Sequence, residues 1–229
     1  MLWEYYSENY EKNQDISVKN LGYFYDLCYN DNKRGKTLFK LTYYAYTRKK
    51  KMDYVEKTVQ KNYIYNGKII TLRCDDALLP DGRPCKREII EHSGGACVLY
   101  VENGAVLLVK QYRYAYGESI YEIPAGKLEK GEDPLLAAFR ELEEEAGVKA
   151  GRMELLFVNY PTPGYTNEKI YIYRAYDGVQ TQIHLDDDEF LDAEFVPLEK
   201  VRAMLKNGEI KDGKTIIALQ AYFLAEMGL

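Results

Sequence analysis

Gly126-Lys127-Leu128-Glu129-Lys130-Gly131-Glu132-Asp133-Pro134-Leu135-Leu136-Ala137-Ala138-Phe139-Arg140-Glu141-Leu142-Glu143-Glu144-Glu145-Ala146-Gly147-Val148 is the stretch whose reading decides the fold. Pro134 suits the first turn of a helix, and Asp133 before it can accept hydrogen bonds from the free backbone N–H groups. Leu135 to Glu145 is rich in Ala, Leu and Glu, all strong helix formers, and Gly147 is a natural stop. In such a helix Glu141, Glu144 and Glu145 stand at i, i+3 and i+4, so three carboxylates share one face. Like charges at that spacing repel, and a hard divalent cation such as Mg²⁺, which takes oxygen ligands, relieves the strain. The bland alternative is a solvated acidic helix that packs through Leu135, Leu136, Phe139 and Leu142.

Working outward, Gly126, Glu132, Arg140-Glu141-Leu142, Glu144-Glu145 and Gly147-Val148 stand at every fixed position of the Nudix box, and the chain resembles that family. The resemblance covers roughly residues 55 to 229. It implies an α/β/α sandwich with a mixed β-sheet, here preceded by a small N-terminal antiparallel β subdomain. It also implies Mg²⁺-dependent (or Mn²⁺-dependent) hydrolysis of a nucleoside diphosphate linked to another group. Ala125 (through its carbonyl), Glu141 and Glu145 match the family's metal-ligand positions, and Glu144 a further acidic position that joins in some relatives. Arg140 matches an arginine that pairs with a helix carboxylate and orients it.

Substrate choice has to come from outside the box. Glu122-Ile123-Pro124-Ala125-Gly126-Lys127 is similar to the lead-in of ADP-ribose pyrophosphatases. Tyr160 to Glu168 resembles that subfamily's proline-containing loop, and Pro163 lies fifteen residues past Val148, at the marker position. By the same resemblance Arg87 and Arg113 are expected at the diphosphate, where a guanidinium fork suits phosphate oxygens. Gly126 and Pro163 join them at the substrate, with Glu168 near the terminal ribose. The family also places a general base on an acidic loop between the last two strands. Asp186-Asp187-Asp188-Glu189 is that loop here, with Glu189 the first choice and Asp187 the second. Relatives with this loop are homodimers whose N-terminal strands contact the partner, a role open to residues 58–91.

Composition bounds the rest. A net charge of −5 and a pI near 5.3 argue against a general nucleic-acid binder. Cys28, Cys74, Cys85 and Cys97 are scattered without zinc-ligand spacing and read as reduced thiols of a cytoplasmic protein. No apolar stretch is long enough to span a bilayer, so no membrane partner is expected.

The chain divides near residue 52. Residues 1–51 are crowded with Tyr, Asn and Lys, hold no proline and end in Arg48-Lys49-Lys50-Lys51. Two readings compete there: an accessory element with a hairpin around Leu38 to Tyr46, and a weakly ordered extension, even upstream sequence ahead of a true start at Met52. Poor apolar periodicity favours the extension. Residues 52–229 read as the hydrolase domain. In it, Asn66-Gly67 predicts a two-residue hairpin turn between Val59–Tyr65 and Lys68–Arg73. Asn103-Gly104 predicts another, between Ala96–Val101 and Ala105–Gln111. Further strands are expected at Lys86–His92, Ser119–Ile123, Met153–Asn159, Lys169–Tyr176 and Ala193–Pro197, and helices at Leu198–Asn207 and Thr215–Met227. Pro124-Ala125-Gly126 reads as a loop.

The leading functional expectation is hydrolysis of ADP-ribose to AMP and ribose 5-phosphate. The alternatives are a nucleotide-sugar pyrophosphatase of the same subfamily, acting for example on GDP-mannose, and a sensor that binds ADP-ribose without cutting it. The three intact carboxylates of the box argue against the sensor.

Overall fold

The computed structural model of the chain describes residues 24–31, 36–43, 53–185 and 189–228. Two compact units are separable, one built from residues up to Glu56 together with Leu79–Arg83, the other from Lys57–Leu78 and Pro84 onward. In the first, β1 (Phe24–Asp31) and β2 (Lys36–Tyr43) pair as an antiparallel hairpin, Phe24 opposite Tyr43 and Asp31 opposite Lys36. Its second strand overlaps the Leu38–Tyr46 stretch. The basic run 48–51 lies outside the described residues.

The second unit opens with a four-stranded antiparallel sheet: β3 (Lys57–Gln60), β4 (Tyr63–Asn66), β5 (Thr71–Leu78) and β6 (Pro84–Glu91). β6 takes one edge of β5, while β3 and β4 lie in tandem along the other. The sequence predicted a single strand over Val59–Tyr65, and the structure breaks it at Lys61-Asn62. Asn62 is the cause: its Nδ2 donates to Cys74 O at 3.1 Å and to Asp76 Oδ2 at 2.8 Å, while its own carbonyl accepts from Cys74 N at 2.8 Å. The register also slips at Val59 and at Ile64. The connection to β5 is then a four-residue loop, 67–70, closed by Gly67 N donating to Ile70 O at 2.9 Å, and not the two-residue Asn66-Gly67 turn. Gly67 does not take the positive φ that such a turn demands.

The main sheet is mixed. Its strands are β7 (Gly95–Glu102), β8 (Ala105–Arg113), β9 (Glu118–Glu122), β10 (Ala125–Lys127), β12 (Arg152–Asn159), β13 (Ile170–Tyr176) and β15 (Leu191–Pro197), in the order β12-β13-β7-β8-β15. A small pair, β11 (Val148–Lys149) with β14 (Val179–Gln180), stands apart. Among the described strands of this sheet only β13 and β7 run parallel. Asn103 and Gly104 turn β7 into β8 with φ of 48° and 76°, as that dipeptide predicts. Beyond this turn β7 and β8 pair only at Val101–Val106 and Glu102–Ala105. Further along they diverge, and the β9–β10 segment enters between them, β9 on β8 and β10 on β7. Pro124 sits where the segment crosses over. It has no N–H to pair, and its carbonyl accepts from Val98 N at 2.9 Å. The stretch expected as a loop is therefore partly strand.

Alternation along β7 assigns the two faces. Ala96, Val98 and Tyr100 pack with Ala137, Ala138, Leu142 and Ala146 of α1 (Pro134–Ala146). Cys97 and Leu99 face the other way, onto Val201 and Met204 of α2 (Leu198–Asn207) and Leu219, Tyr222 and Phe223 of α3 (Gly213–Glu226). Helices thus cover both faces of a mixed sheet, the expected α/β/α arrangement. The caps of α1 are the expected ones: Asp133 accepts from Leu135 N at 2.8 Å, and Gly147 closes the helix with φ 60°. Among the described residues no helix is long and apolar enough to cross a membrane.

Candidate active site

The splay between β7 and β8 opens a cavity of about 550 Å³. α1 supplies one wall. Its acidic face turns toward β10, and Gly126 lets the two come together: a Cβ there would lie 1.9 Å from Glu141 Oε1. A larger residue there would have to displace that carboxylate. One position from it, Ala125 N donates to Glu145 Oε2 at 2.7 Å. Glu141 and Glu145 are 6% and 2% exposed, whereas Glu144 is half-buried. Arg140 holds the outer rim, its Nε and Nη2 on Glu132 at 2.9 and 3.0 Å. Its Nη1 lies 2.7 Å from Glu141 Oε1 and 2.9 Å from Glu144 Oε2. One guanidinium therefore organises three carboxylates.

Burial pushes the Glu141 carboxyl up to about 7 against the pull of Arg140, and the charges of Glu144 and Glu189 add to the rise. Burial pushes Glu145 up to about 8, with the Ala125 N–H opposing and Glu141 and Glu189 again adding. Both carboxyls are held where their charged form is disfavoured, which is the environment a divalent cation reverses. The donor set suits a hard ion: carboxylate oxygens on one helix beside the backbone of Ala125. Among the described residues no three acidic, His or Cys side chains close around one point, and Arg140 Nη1 stands between Glu141 and Glu144.

The opposite wall carries cations. Arg113, at the end of β8, sets Nε and Nη2 on the Glu122 carboxylate, the Nη2 contact at 2.8 Å. Lys214, from the first turn of α3, donates to the same carboxylate and lies 3.1 Å from Asp212 Oδ1. Burial opposes the charge of Glu122, but hydrogen bonding from Arg113 and the charge of Lys214 outweigh it and leave its pKa below the ordinary value. A third side of the cavity is lined by His92 and Glu168, with His92 Nδ1 3.3 Å from Glu168 Oε1. Lys68 and Ile69 of the four-residue loop complete it.

The structure thus brings Ala125, Gly126, Glu141, Glu144, Glu145, Arg140, Arg113, Glu168 and Glu189 to one cavity. Arg87 and Pro163 do not line it. Arg87 lies on β6 with Nη1 donating to Lys86 O, and Pro163 heads a turn in which Thr162 O accepts from Tyr165 N and Thr166 N. Asp187 lies outside the described residues. Sequence reasoning missed Lys214 and the structural use of Glu122. A Lys beside the helix-capping Asp212, at the mouth of an otherwise apolar helix, was the available signal. Lys68 and Ile69 gave none, because the Asn66-Gly67 rule places them at the start of a strand and not in a loop.

Residues 91–219 match the family model described as NUDIX domain, more than half of the chain. The chain belongs to the Nudix family. Ahead of this Nudix domain, residues 56–90 match the model described as nucleoside diphosphate sugar hydrolase N-terminal domain. The ADP-ribose pyrophosphatase of Bacillus subtilis (strain 168) is 40% identical over 174 residues, 75% of this chain and 94% of the relative. The methanol dehydrogenase activator of Bacillus methanolicus is 41% identical, also over 174 residues, with the same coverage. A GDP-mannose pyrophosphatase of Yersinia enterocolitica is 33% identical over 145 residues, 58% of this chain and 75% of the relative. A solved structure described as an ADP compounds hydrolase superposes with a TM-score of 0.67 over 76% of this chain and 95% of its own. At 20% identity that likeness speaks for the Nudix fold alone.

Proposed function

We propose that this Nudix protein hydrolyses ADP-ribose to AMP and ribose 5-phosphate. The observation that carries the proposal is the pairing in one cavity of a buried acidic helix face with an opposing Arg113, in a chain 40% identical to an ADP-ribose pyrophosphatase over 94% of that relative. A diphosphate needs cations on both sides, and the acidic wall offers ligands for them. Ala125 O, Glu141 and Glu145 would hold Mg²⁺ or Mn²⁺, with Glu144 as a further acidic position. When bound, such an ion neutralises the diphosphate and acidifies water.

The chain's own residues do the rest. Arg113 presents its guanidinium to the diphosphate oxygens, and Glu168 faces the terminal ribose. Arg140 fixes the rotamers of Glu141 and Glu144. Water attacks one phosphorus, the bond from that phosphorus to the bridging oxygen breaks, and Glu189 takes the water's proton. Glu189 is the described acidic residue of the 186–189 loop and lines the cavity. Asp187 is the second candidate for the base. Arg87 and Pro163 take part in substrate binding only through a second copy of the chain. A homodimer built on the strands of residues 58–91 supplies one. Exposed Val59, Tyr63, Ile64 and Tyr65 on β3 and β4 support that face as the contact. Cys74 and Cys85 are free thiols and support a cytoplasmic location.

A panel of nucleoside diphosphate compounds, assayed with Mg²⁺ for AMP or GMP release, tests the substrate. ADP-ribose is expected to give the highest kcat/KM. Efficient cleavage of GDP-mannose with none of ADP-ribose would move the assignment to the nucleotide-sugar alternative, which the 33% identical relative favours.

A further inference from the structure

Lys214 is an unusual residue for its place. Its side chain is 10% exposed, in the first turn of a helix whose neighbours along the chain pack into the core. Burying an ammonium costs several kcal/mol unless it is well paired, and an apolar residue would fill the space without that cost. The pairing is extensive. Nζ donates to Glu122 and lies 3.1 Å from Asp212. Asp212 Oδ2 also caps α3, accepting from Thr215 N at 2.9 Å and from the Thr215 hydroxyl at 2.6 Å. Thr215 Oγ1 in turn accepts from Ile123 N at 2.9 Å. The start of α3 is thereby tied to the β9–β10 segment at the two residues, Glu122 and Ile123, that stand immediately before Pro124 and β10 of the site.

Glu122 is the hinge of this network. It is 2% exposed and takes Arg113 along one guanidinium edge, Nε and Nη2, a pairing that does not involve Nη1. Arg113 and Lys214 both line the cavity. Arg113, Lys214, Glu122 and Asp212 sum to a neutral group. Without Lys214 the wall facing the substrate would carry a net negative charge, opposite a helix already crowded with carboxylates. The charge of Asp212 and that of Glu122 outweigh burial and hold the Lys214 ammonium charged.

We propose that Lys214 is a positioning residue for diphosphate recognition: it fixes Glu122 and balances its charge, so that Glu122 grips one edge of Arg113 and leaves the other edge to the substrate. Arg113 meeting a diphosphate belongs to the hydrolase proposal, and the role of Lys214 rests on it. The residue acts through Arg113 and does not itself take part in the chemistry.

A double-mutant cycle on the full chain tests this, with kcat and KM measured for Lys214→Met, Arg113→Ala and the pair. A charged hydrogen bond is worth enough to predict a rise in KM of about tenfold for Lys214→Met, with kcat changed far less. In the Arg113→Ala background the same change is expected to add almost nothing, an interaction that a merely structural lysine would not give. Lys214→Arg, which keeps the charge, is expected to recover most of the KM. Lys214→Gln, which keeps a donor but not the charge, replaces the Met variant should that chain fail to fold. An unchanged KM, or a loss that adds in full to that of Arg113→Ala, overturns the proposal. The cycle is run on whichever diphosphate the wild type cleaves, ADP-ribose or GDP-mannose. Failure of the ADP-ribose assignment is thus seen in the wild type, and failure of the Lys214 role only in the variants.

Discussion

Glu122 and Glu145 are both 2% exposed, Glu145 lining the cavity and Glu122 standing behind Arg113 and Lys214, which line it, yet their acidities move in opposite directions. Burial raises both. Arg113 and Lys214 reverse the effect at Glu122, while at Glu145 the Ala125 N–H and the more distant charge of Arg113 are outweighed by burial and two neighbouring carboxylates. Partner charge, and not depth, decides whether a buried carboxylate is at ease. One wall is complete within the chain. The other is built to be completed by a cation from outside.

The sharpest way to break this contrast is Glu145→Gln. On the acidic wall it should lower kcat about a thousandfold, since ion-assisted charge stabilisation is worth several kcal/mol. ADP-ribose affinity, read by calorimetry, should change far less, and Mn²⁺ affinity should drop with turnover. Unchanged hydrolysis would mean that the acidic face holds no ion. Glu189→Gln comes next, with a loss of about a hundredfold in kcat and no change in ion affinity. If Asp187→Asn shows that loss and Glu189→Gln does not, the base is the neighbour.

On the complete wall the effect is one of stability. Glu122→Gln leaves two cations with one fewer charge to meet, and guanidinium unfolding should show a destabilisation of about 3 kcal/mol at neutral pH. Because the folded pKa of Glu122 lies below its ordinary 4.5, its stabilising contribution is full above that value and disappears as the pH falls through the folded value. The gap between wild type and variant should therefore close in acid. A gap that stays constant from pH 7 down to about 3 would show that Glu122 is not held ionised by its partners. The smallest effect is expected at Lys68, on the third side of the cavity, where Lys68→Ala should raise KM by no more than about threefold. A tenfold rise would place that loop at the substrate.

What could be read from the chain was strongest where one local rule acted alone. Asp133, Pro134 and Gly147 bounded α1 to within a residue, and the i, i+3, i+4 spacing put its glutamates on one face. Asn103-Gly104 fixed a turn because both residues tolerate positive φ. The prediction failed at Asn66-Gly67, where the same dipeptide rule met Asn62, whose hydrogen bonds to β5 broke the strand and lengthened the loop. No local pattern could have revealed that, since the partners are 12 and 14 residues away. Lys214 and Glu122 are separated by 92 residues and are joined only by the splay of β7 and β8.

The sequence by itself determined the acidic helix, its caps and the reaction class to which such a box belongs, because these depend on spacing within one short segment. Tertiary structure alone decided that this helix faces a cationic wall, that the lysine of a distant helix balances that wall, and that a loop from the N-terminal sheet reaches the cavity. Those outcomes depend on which strands pair and where they part, and pairing is settled by the free energy of the whole core.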